Sequence, residues 1–207
     1  MSEETLEPQK KYYDYISVGN RTKQVVYFVE QHDKLVHFEL FLNENPALKT
    51  VVICKSKKDA DSLGTHLKSK NINAIVIHGN HRASQIEEAS LTFNNNESNL
   101  LITTSKIYET FALENIQRII NYDLPFKPES YFKTLRAVDE IGESILFVTS
   151  NDEKMLETIE FMMKYDIPQE EIETFTHTAL PRVTETKKKK PRHTKTKKTK
   201  REIEKEE

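Results

Sequence analysis

The stretch that decides the fold is VVICKSKKDADSLGTHLKSKNINAIVIHGN, residues 51–80. It opens on the apolar run 51–54, continues through a polar segment long enough for a helix, and returns to an apolar run at 74–77. Ser56 stands at the start of the polar segment, where a serine side chain serves as a helix N-cap. A strand, a helix and a strand in this order predict a parallel βαβ unit.

Apolar runs of the same kind recur along the rest of the chain. The six runs are 25–29, 51–54, 74–77, 100–103, 118–122 and 145–149. Each is short, rich in β-branched residues and followed by a polar segment, which is the pattern of strands buried on both faces of a parallel sheet. We therefore expect an α/β fold with crossover helices.

Helix starts have separate signals, because capping residues and proline favour the first turn. The expected starts are Asp33, Ser56, Pro128, and either Ser150 or Asn151. The last of these helices ends near Met162 and Met163, which we interpret as core residues.

Composition favours one globular domain with an ordinary core, since 36% of the 207 residues are hydrophobic. The single cysteine, Cys54, lies in an apolar run and cannot form a disulfide within one chain, which favours a reducing, cytoplasmic setting. No apolar run approaches the roughly 18 residues of a membrane span, so we expect a soluble, unexported protein without a membrane partner.

The net charge of −2 conceals a division along the chain. Residues 187–207 contain 11 Lys/Arg against 4 Asp/Glu, which leaves 20 Lys/Arg against 29 Asp/Glu for the rest. The stretch KKKKPRHTKTKKTKR, residues 187–201, has no apolar periodicity and is expected to be disordered. We divide the chain into a lead-in segment 1–22, a domain 23–178 and a Lys-rich tail 179–207.

Sequence motifs for nucleotide and metal binding are missing. The four glycines, Gly19, Gly64, Gly79 and Gly142, are too far apart for a phosphate-binding loop or for GxGxxG. No C-x-x-C, H-E-x-x-H or EF-hand loop occurs, so we expect no metal site. His78 is the histidine best placed for a ligand, and we interpret it as structural.

Two further groups have a structural interpretation beside a functional one. The acidic pair Asp139 and Glu140 resembles a metal-binding pair, but it follows a predicted helix and is interpreted as its solvated end. Tyr12, Tyr13 and Tyr15 offer rings for base stacking, and they equally suit packing of the lead-in segment onto the sheet.

Several stretches occur in the order and near the spacing of one known family. They are residues 51–80, LLITTS at 100–105, QRIINYDLPFKPESYF at 117–132 and ILFVTSNDEKML at 145–156. From about residue 16 to residue 175 the chain resembles the second, C-terminal RecA-like domain of the DEAD-box RNA helicases, particularly the short bacterial ones with a basic tail. The resemblance implies a RecA-like, P-loop NTPase-type parallel sheet flanked by helices.

The resemblance also indicates which RNA-contacting positions are kept. Gly79, in a histidine-glycine turn, and Thr104, after the fourth strand, match the family. Ala83 and Ile86 stand where the family has a Gln and an Arg that help to hold RNA. The RNA-binding motifs are therefore expected to be degenerate.

The positions at which the family contacts ATP are replaced. In the loop that the family writes T-D-x-x-x-R-G-x-D, Glu109 stands at the Arg and Ala112 at the last Asp. In the arginine-finger segment, Y-x-H-R-x-G-R-x-x-R, Thr134, Ala137 and Glu140 stand at the three arginines. Because such arginines stabilise charge on the transferred phosphate, we expect no catalysis.

Lys133 and Arg136 keep positive charge in this segment, at the family's His and Gly positions. The family's first RecA-like domain, with its phosphate loop and catalytic carboxylates, has no counterpart in this sequence. We expect neither ATP nor Mg²⁺ to bind this chain alone.

The resulting hypothesis is a non-catalytic RNA-binding protein whose tail contacts RNA phosphates without sequence specificity. The expected RNA-binding residues are Lys187, Lys188, Lys189, Lys190, Arg192, Lys195, Lys197, Lys198, Lys200 and Arg201, with Gly79 and Thr104 in the domain. A solubilising role is the alternative for the tail. For the whole protein, one alternative is an interaction module for a complete DEAD-box helicase, the ribosome or an RNA-decay complex. The other is a helicase half working in trans with a separate first RecA-like domain.

Overall fold

The computed structural model describes residues 12–45, 47–176 and 178. Within them, six parallel strands form one sheet in the order β1-β6-β5-β2-β4-β3. The strands are β1 Lys23–Phe28, β2 Thr50–Cys54, β3 Ile75–Ile77, β4 Leu100–Thr104, β5 Ile116–Asn121 and β6 Val138–Val148. The predicted fold class is confirmed, with every strand run found near its expected place.

Helices cover both faces of the sheet. They are α1 Tyr12–Arg21, α2 Lys34–Glu44, α3 Lys57–Ser69, α4 Ala83–Asn94, α5 Ser105–Tyr108, α6 Pro128–Arg136 and α7 Glu153–Met163. The interior strands β2 and β4 are buried at every residue. Continuous apolar runs in the sequence follow from this burial on both faces.

Three apolar clusters form the core. The first joins α2 and α3 to the sheet, and in it the Phe147 ring lies 5.7 Å from the rings of Phe38 and Phe41. The second joins α1, α6 and α7 on the opposite face and includes Tyr131 and Phe132, both without exposed surface. The third lies between the sheet and the elements α4 and α5.

The described part of the lead-in segment, from residue 12 onward, takes part in this packing. In helix α1 the Tyr15 ring stacks on Phe132 with 4.3 Å between centroids. Val18 is buried in the same cluster, together with Met163 of α7. For Tyr15 the packing interpretation is therefore confirmed, and Met163 is a core residue as expected.

Gly64 permits a close contact between helix α3 and strand β3. A Cβ on Gly64 of α3 would lie 2.3 Å from Val76 Cγ2 of β3. Helix α3 can therefore pack at this depth only because residue 64 has no side chain.

Three of the four expected helix starts are confirmed. Asp33 is the N-cap of α2, Pro128 is the first residue of α6, and Ser56 Oγ accepts a hydrogen bond from Asp59 N at 3.1 Å. The fourth was wrong, because α7 has Asp152 as its N-cap rather than Ser150 or Asn151.

Strand β6 is longer than predicted and corrects the interpretation of the acidic pair. The sequence predicts a strand at 145–149, but β6 begins at Val138, paired with Ile116. Helix α6 ends at Arg136 with Ala137 as its C-cap, so Asp139 and Glu140 belong to a strand and not to a helix end.

The polar half of β6 is stabilised by ion pairs with neighbouring strands. A hydrophobicity pattern does not reveal such pairs. Glu143 on β6 accepts a hydrogen bond from Arg118 Nε on β5 at 2.6 Å. Lys23 of β1 lies 3.8 Å from the same carboxylate. The flanking strands thus supply the charges that let a polar segment join the sheet.

None of the helices in the described part of the chain combines the length and apolar character that crossing a bilayer requires.

Candidate nucleic-acid interface

An open cleft of about 710 Å³ lies at the carboxyl edge of the sheet. Because all six strands are parallel, the loops that follow β2, β3, β4 and β5 meet at this edge. Ligands of open parallel α/β sheets bind in such crevices. The cleft is lined by Lys55, Ser56, Lys57, Gly79, Thr104, Ser105, Lys106, Ile107, Glu109, Pro125, Phe126, Lys127 and Ser130.

The lining is strongly basic. Four lysines, Lys55, Lys57, Lys106 and Lys127, face a single carboxylate, Glu109. Among the residues that the structure describes, no carboxylate forms an ion pair with Lys106 or Lys127. The cleft therefore has a net positive charge suited to an anionic ligand.

The other two lysines have defined contacts. Lys57 Nζ donates a hydrogen bond to Asn80 Oδ1 at 2.6 Å. Lys55 Nζ lies 3.5 Å from Asp152 Oδ1 and 4.6 Å from the centroid of the Phe126 ring. These contacts hold both ammonium groups near the cleft wall.

The structure brings Gly79 and Thr104 into the same cleft, although 24 positions separate them in the sequence. Thr104 ends β4 and is only 7% exposed. A Cβ on Gly79 would meet Lys57 Cε at 3.4 Å and Ile107 Cδ1 at 3.7 Å, which is close to ordinary contact. Glycine at position 79 leaves room beside Lys57, but the backbone conformation at this position does not require a glycine.

Glu109 is paired across the edge of the cleft. Its Oε2 accepts a hydrogen bond from Lys133 Nζ at 2.8 Å, which joins the residue after α5 to helix α6. Both side chains remain partly exposed, so the pair is a weak contributor to stability. Its electrostatic effect is local, because each charge offsets the other.

At the other replaced positions, the side chains that the structure describes present no exposed charged group. Thr134 is buried, and its hydroxyl donates to Tyr131 O at 2.7 Å. Ala137 is exposed at the end of α6, and Ala112 is exposed in the loop before β5. Residue Glu140 lies in β6, and its side chain is outside the described part of the structure.

A buried ion pair anchors the loop between β5 and α6. Lys34 Nζ donates to Asp123 Oδ1 at 2.6 Å, and Lys34 is 1% exposed. Asp123 Oδ2 also accepts a hydrogen bond from Lys55 N at 3.0 Å. One carboxylate thus joins α2, the end of β2 and the loop that leads to Phe126.

The histidine and cysteine near this edge have structural environments. His78 is buried, its Nε2 lies 2.8 Å from Asp61 Oδ1, and its ring is 4.4 Å from the ring of His81. Burial raises the pKa of the Cys54 thiol well above its usual range, which keeps the thiol protonated. Within residues 12–45, 47–176 and 178, no group of three or more His, Cys, Asp or Glu side chains is arranged to hold a metal ion.

Sequence reasoning missed the cleft lysines and Phe126. Each lies in the connection between a strand and the next helix or in the first turn of that helix, and that position was the available signal. The tail residues expected to bind RNA, from Lys187 to Arg201, lie outside the described residues.

A second, apolar cleft of about 700 Å³ lies between α1 and α7. Phe161, at 83% exposure the most exposed large apolar side chain described, lines it with Ile16 and Met162. Its rim carries the acidic residues Glu157, Glu160 and Asp166 beside a single lysine, Lys164.

Comparison with known proteins places these features in a family. The family model of the helicase conserved C-terminal domain matches residues 30–135. The chain is 30% identical over 140 residues to the ATP-dependent RNA helicase vasa of Drosophila melanogaster, an alignment covering 65% of this chain and 21% of vasa. The chain spans about a fifth to a third of the length of the curated relatives that it matches.

Solved structures show the same fold. A DEAD box protein from Methanococcus jannaschii superimposes with a TM-score of 0.68 at 25% identity, over 74% of this chain and 43% of that chain. E. coli SrmB, in a complex with the regulator of ribonuclease activity A, superimposes with a TM-score of 0.67 at 17% identity, over 73% of this chain and 91% of that chain.

Proposed function

Because the chain belongs to the family of helicase conserved C-terminal domains, we propose that it is a non-catalytic RNA-binding module whose lysine-lined cleft holds RNA phosphates. The observation that carries this proposal is the convergence of four lysines around Gly79 and Thr104. The basic tail adds a second phosphate-binding element. Binding through lysines and phosphates is expected to depend on salt and to be largely independent of sequence.

Charge and geometry support RNA over a small anion. The four lysines come from three separate connections, since Lys55 and Lys57 follow β2, Lys106 lies in helix α5 after β4, and Lys127 follows β5. They are therefore distributed along an open trough. Lysine is a point charge on a flexible stem, which tolerates variation in phosphate position. RNA, which carries a phosphate at every nucleotide, suits this arrangement.

The contacts of the replaced positions support the absence of catalysis. Thr134 uses its hydroxyl within the helix, Ala137 has no polar side chain, and Glu109 is paired with Lys133. None of them supplies the guanidinium that stabilises a transferring phosphoryl group. We expect no binding of ATP or Mg²⁺ by this chain alone.

RNA titration of charge-reversed variants tests the proposal. The full chain, the variant Lys106→Glu/Lys127→Glu and a chain lacking residues 186–207 are titrated with a fluorescent single-stranded RNA at several salt concentrations. The matched control is Lys68→Glu/Lys154→Glu, which makes the same charge change at exposed positions outside the cleft.

The cleft variant is expected to bind at least about tenfold more weakly at 0.1 M salt, with the slope of log K against log salt reduced by about 1.4 for two lost contacts. The control should lose much less affinity. If the cleft variant binds as tightly as the control variant and the unaltered chain, the cleft does not hold RNA. If only removal of the tail matters, the body serves as a scaffold for the tail.

A second candidate function, protein interaction, is favoured by the apolar cleft around Phe161. Its apolar floor and acidic rim are complementary to a partner segment with apolar side chains flanked by basic residues. A complete DEAD-box helicase, the ribosome and an RNA-decay complex stay the predicted assemblies. Display of a random peptide library against the unaltered chain and Phe161→Ser tests this: enrichment of basic-apolar peptides that the variant does not bind supports it, and equal enrichment contradicts it.

The alternative of a helicase half working in trans predicts that this chain restores RNA-stimulated ATP hydrolysis to a separately supplied first RecA-like domain. The replaced arginine positions argue against that outcome. The cytoplasmic setting and the bacterial branch of the family also stay predictions.

A further inference from the structure

Phe126 is an exposed aromatic ring inside a basic cleft. It is 75% exposed, and among the large apolar side chains that the structure describes only Phe161 is more so. It lines the cleft beside Lys127, whereas Tyr122 directly after β5 and Tyr131 and Phe132 of α6 are buried. The folded core therefore gains little from this ring, which leaves it available to a ligand.

The backbone of the loop that carries Phe126 is restrained on both sides of this residue. Phe126 lies between Pro125 and Lys127, and Pro128 starts helix α6 directly afterwards. Proline fixes its own φ and restricts the preceding residue, so this loop has few backbone conformations. Asp123, three residues earlier, is fixed by Lys34 and by Lys55 N.

Lys55 covers one side of the ring. Its ammonium nitrogen lies 4.6 Å from the ring centroid, which is a cation–π contact. The exposed remainder of the ring faces the solvent of the cleft. A base that stacked there would share the ring with a lysine already placed to meet a phosphate.

We propose that Phe126 is a base-stacking platform, so that the cleft selects single-stranded RNA with an unstacked base over duplex RNA. The inference rests on the proposed RNA binding by the cleft and names the form of RNA that it takes. Every base has a π-face, so stacking on an aromatic side chain tolerates sequence. In a duplex the bases are stacked on one another and cannot reach the ring.

The substitution Phe126→Leu tests the inference in the full chain, because leucine keeps apolar bulk and removes the π-face. Stacking on an aromatic residue is worth about 1–3 kcal/mol per base, which corresponds to roughly a 5- to 150-fold loss of affinity for a single-stranded RNA. The salt dependence should not change, since no charge is altered. Phe161→Leu is the matched control, because it makes the same change on an exposed ring of α7.

A second variant reports stacking directly. The chain contains no tryptophan, so Phe126→Trp introduces a single one. Its emission is expected to be quenched when single-stranded RNA saturates the protein, and to change little with duplex RNA. Affinity of this variant should equal or exceed that of the unaltered chain.

The outcomes separate the two proposals. Loss of affinity in Phe126→Leu, with quenching in Phe126→Trp, supports the platform. If Phe126→Leu binds as the unaltered chain does while Lys106→Glu/Lys127→Glu binds weakly, the platform is overturned and phosphate binding by the cleft stands. If neither variant affects RNA affinity, both proposals are overturned.

Discussion

The buried ion pair between Lys34 and Asp123 is expected to determine much of the stability of the cleft. Lys34 is 1% exposed and the Asp123 side chain is 14% exposed, and their charged atoms lie 2.6 Å apart. The substitution Lys34→Met keeps the length and removes the charge. Breaking a buried pair costs about 3–5 kcal/mol, and we expect about 3 kcal/mol because Asp123 keeps some contact with solvent and its bond from Lys55 N.

Urea unfolding followed by circular dichroism measures this change, because the chain has no tryptophan to report it. A loss of about 3 kcal/mol also lowers the melting temperature by roughly 6–12 °C for a chain of this size. The double variant Lys34→Met/Asp123→Asn should recover about 2 kcal/mol of the loss, because no uncompensated carboxylate remains and the amide oxygen still accepts from Lys55 N.

Lys49→Met is the matched control for this prediction. Lys49 is also buried, at 6% exposure, but its ammonium donates to the backbone oxygen of Asn94, and in the described structure no carboxylate pairs with it. Its removal should cost about 1 kcal/mol. If Lys34→Met costs no more than Lys49→Met, the carboxylate is not left uncompensated and the reasoning is refuted.

Three further predictions follow from other contacts. Gly64→Ala should lose about 1–3 kcal/mol in urea unfolding, because its Cβ would lie 2.3 Å from Val76 Cγ2, whereas Gly79→Ala, with its nearest contact at 3.4 Å, should lose less than about 1 kcal/mol. Burial raises the pKa of Tyr27 from 10.0 to about 12, so the unfolded chain loses the phenolic proton at a lower pH than the folded chain does. The free energy of unfolding should therefore fall as pH rises from 10 to 12. The substitution Tyr27→Phe should make the free energy of unfolding less dependent on pH in this range. Removal of residues 186–207 should reduce the slope of log RNA affinity against log salt by up to about 7, or 0.7 for each of ten basic residues in contact, and an unchanged slope would exclude the tail from RNA binding.

The sequence was most informative where burial is uniform. Strands β2 and β4 are buried at every residue, so their apolar runs were visible without knowledge of neighbours. The start of β6 was not visible, since Glu143 is stabilised there by Arg118 on a strand that lies 25 residues away in the chain. Whether such a segment forms a strand depends on pairing between residues that are distant in the sequence, and a local hydrophobicity pattern carries no information about that pairing.

The candidate site was predicted in part for a related reason. Gly79 and Thr104 were identified through resemblance to a family, whereas Phe126 and Lys106 were overlooked because single lysines and aromatic residues have no motif. What distinguishes them is convergence at one edge of a parallel sheet, which becomes visible once the strand order is known. The tail residues lie outside the described structure, so their role stays a prediction.

Two kinds of positive charge at this edge bear on the proposed RNA binding without catalysis. On helix α6, Lys133 is paired with Glu109, and Thr134 bonds to its own helix backbone, so neither of these two side chains offers a free planar cation to a reacting phosphate. Around the cleft, Lys106 and Lys127 have no carboxylate partner in the described structure. Lys106 lies on the short helix α5 after β4, and Lys127 lies on the loop after β5. Phosphoryl transfer needs rigid, directional donors at one point, whereas a nucleic-acid backbone needs distributed charge that tolerates movement. The lysines satisfy the second requirement and not the first, and this is the arrangement that the proposed non-catalytic RNA binding requires.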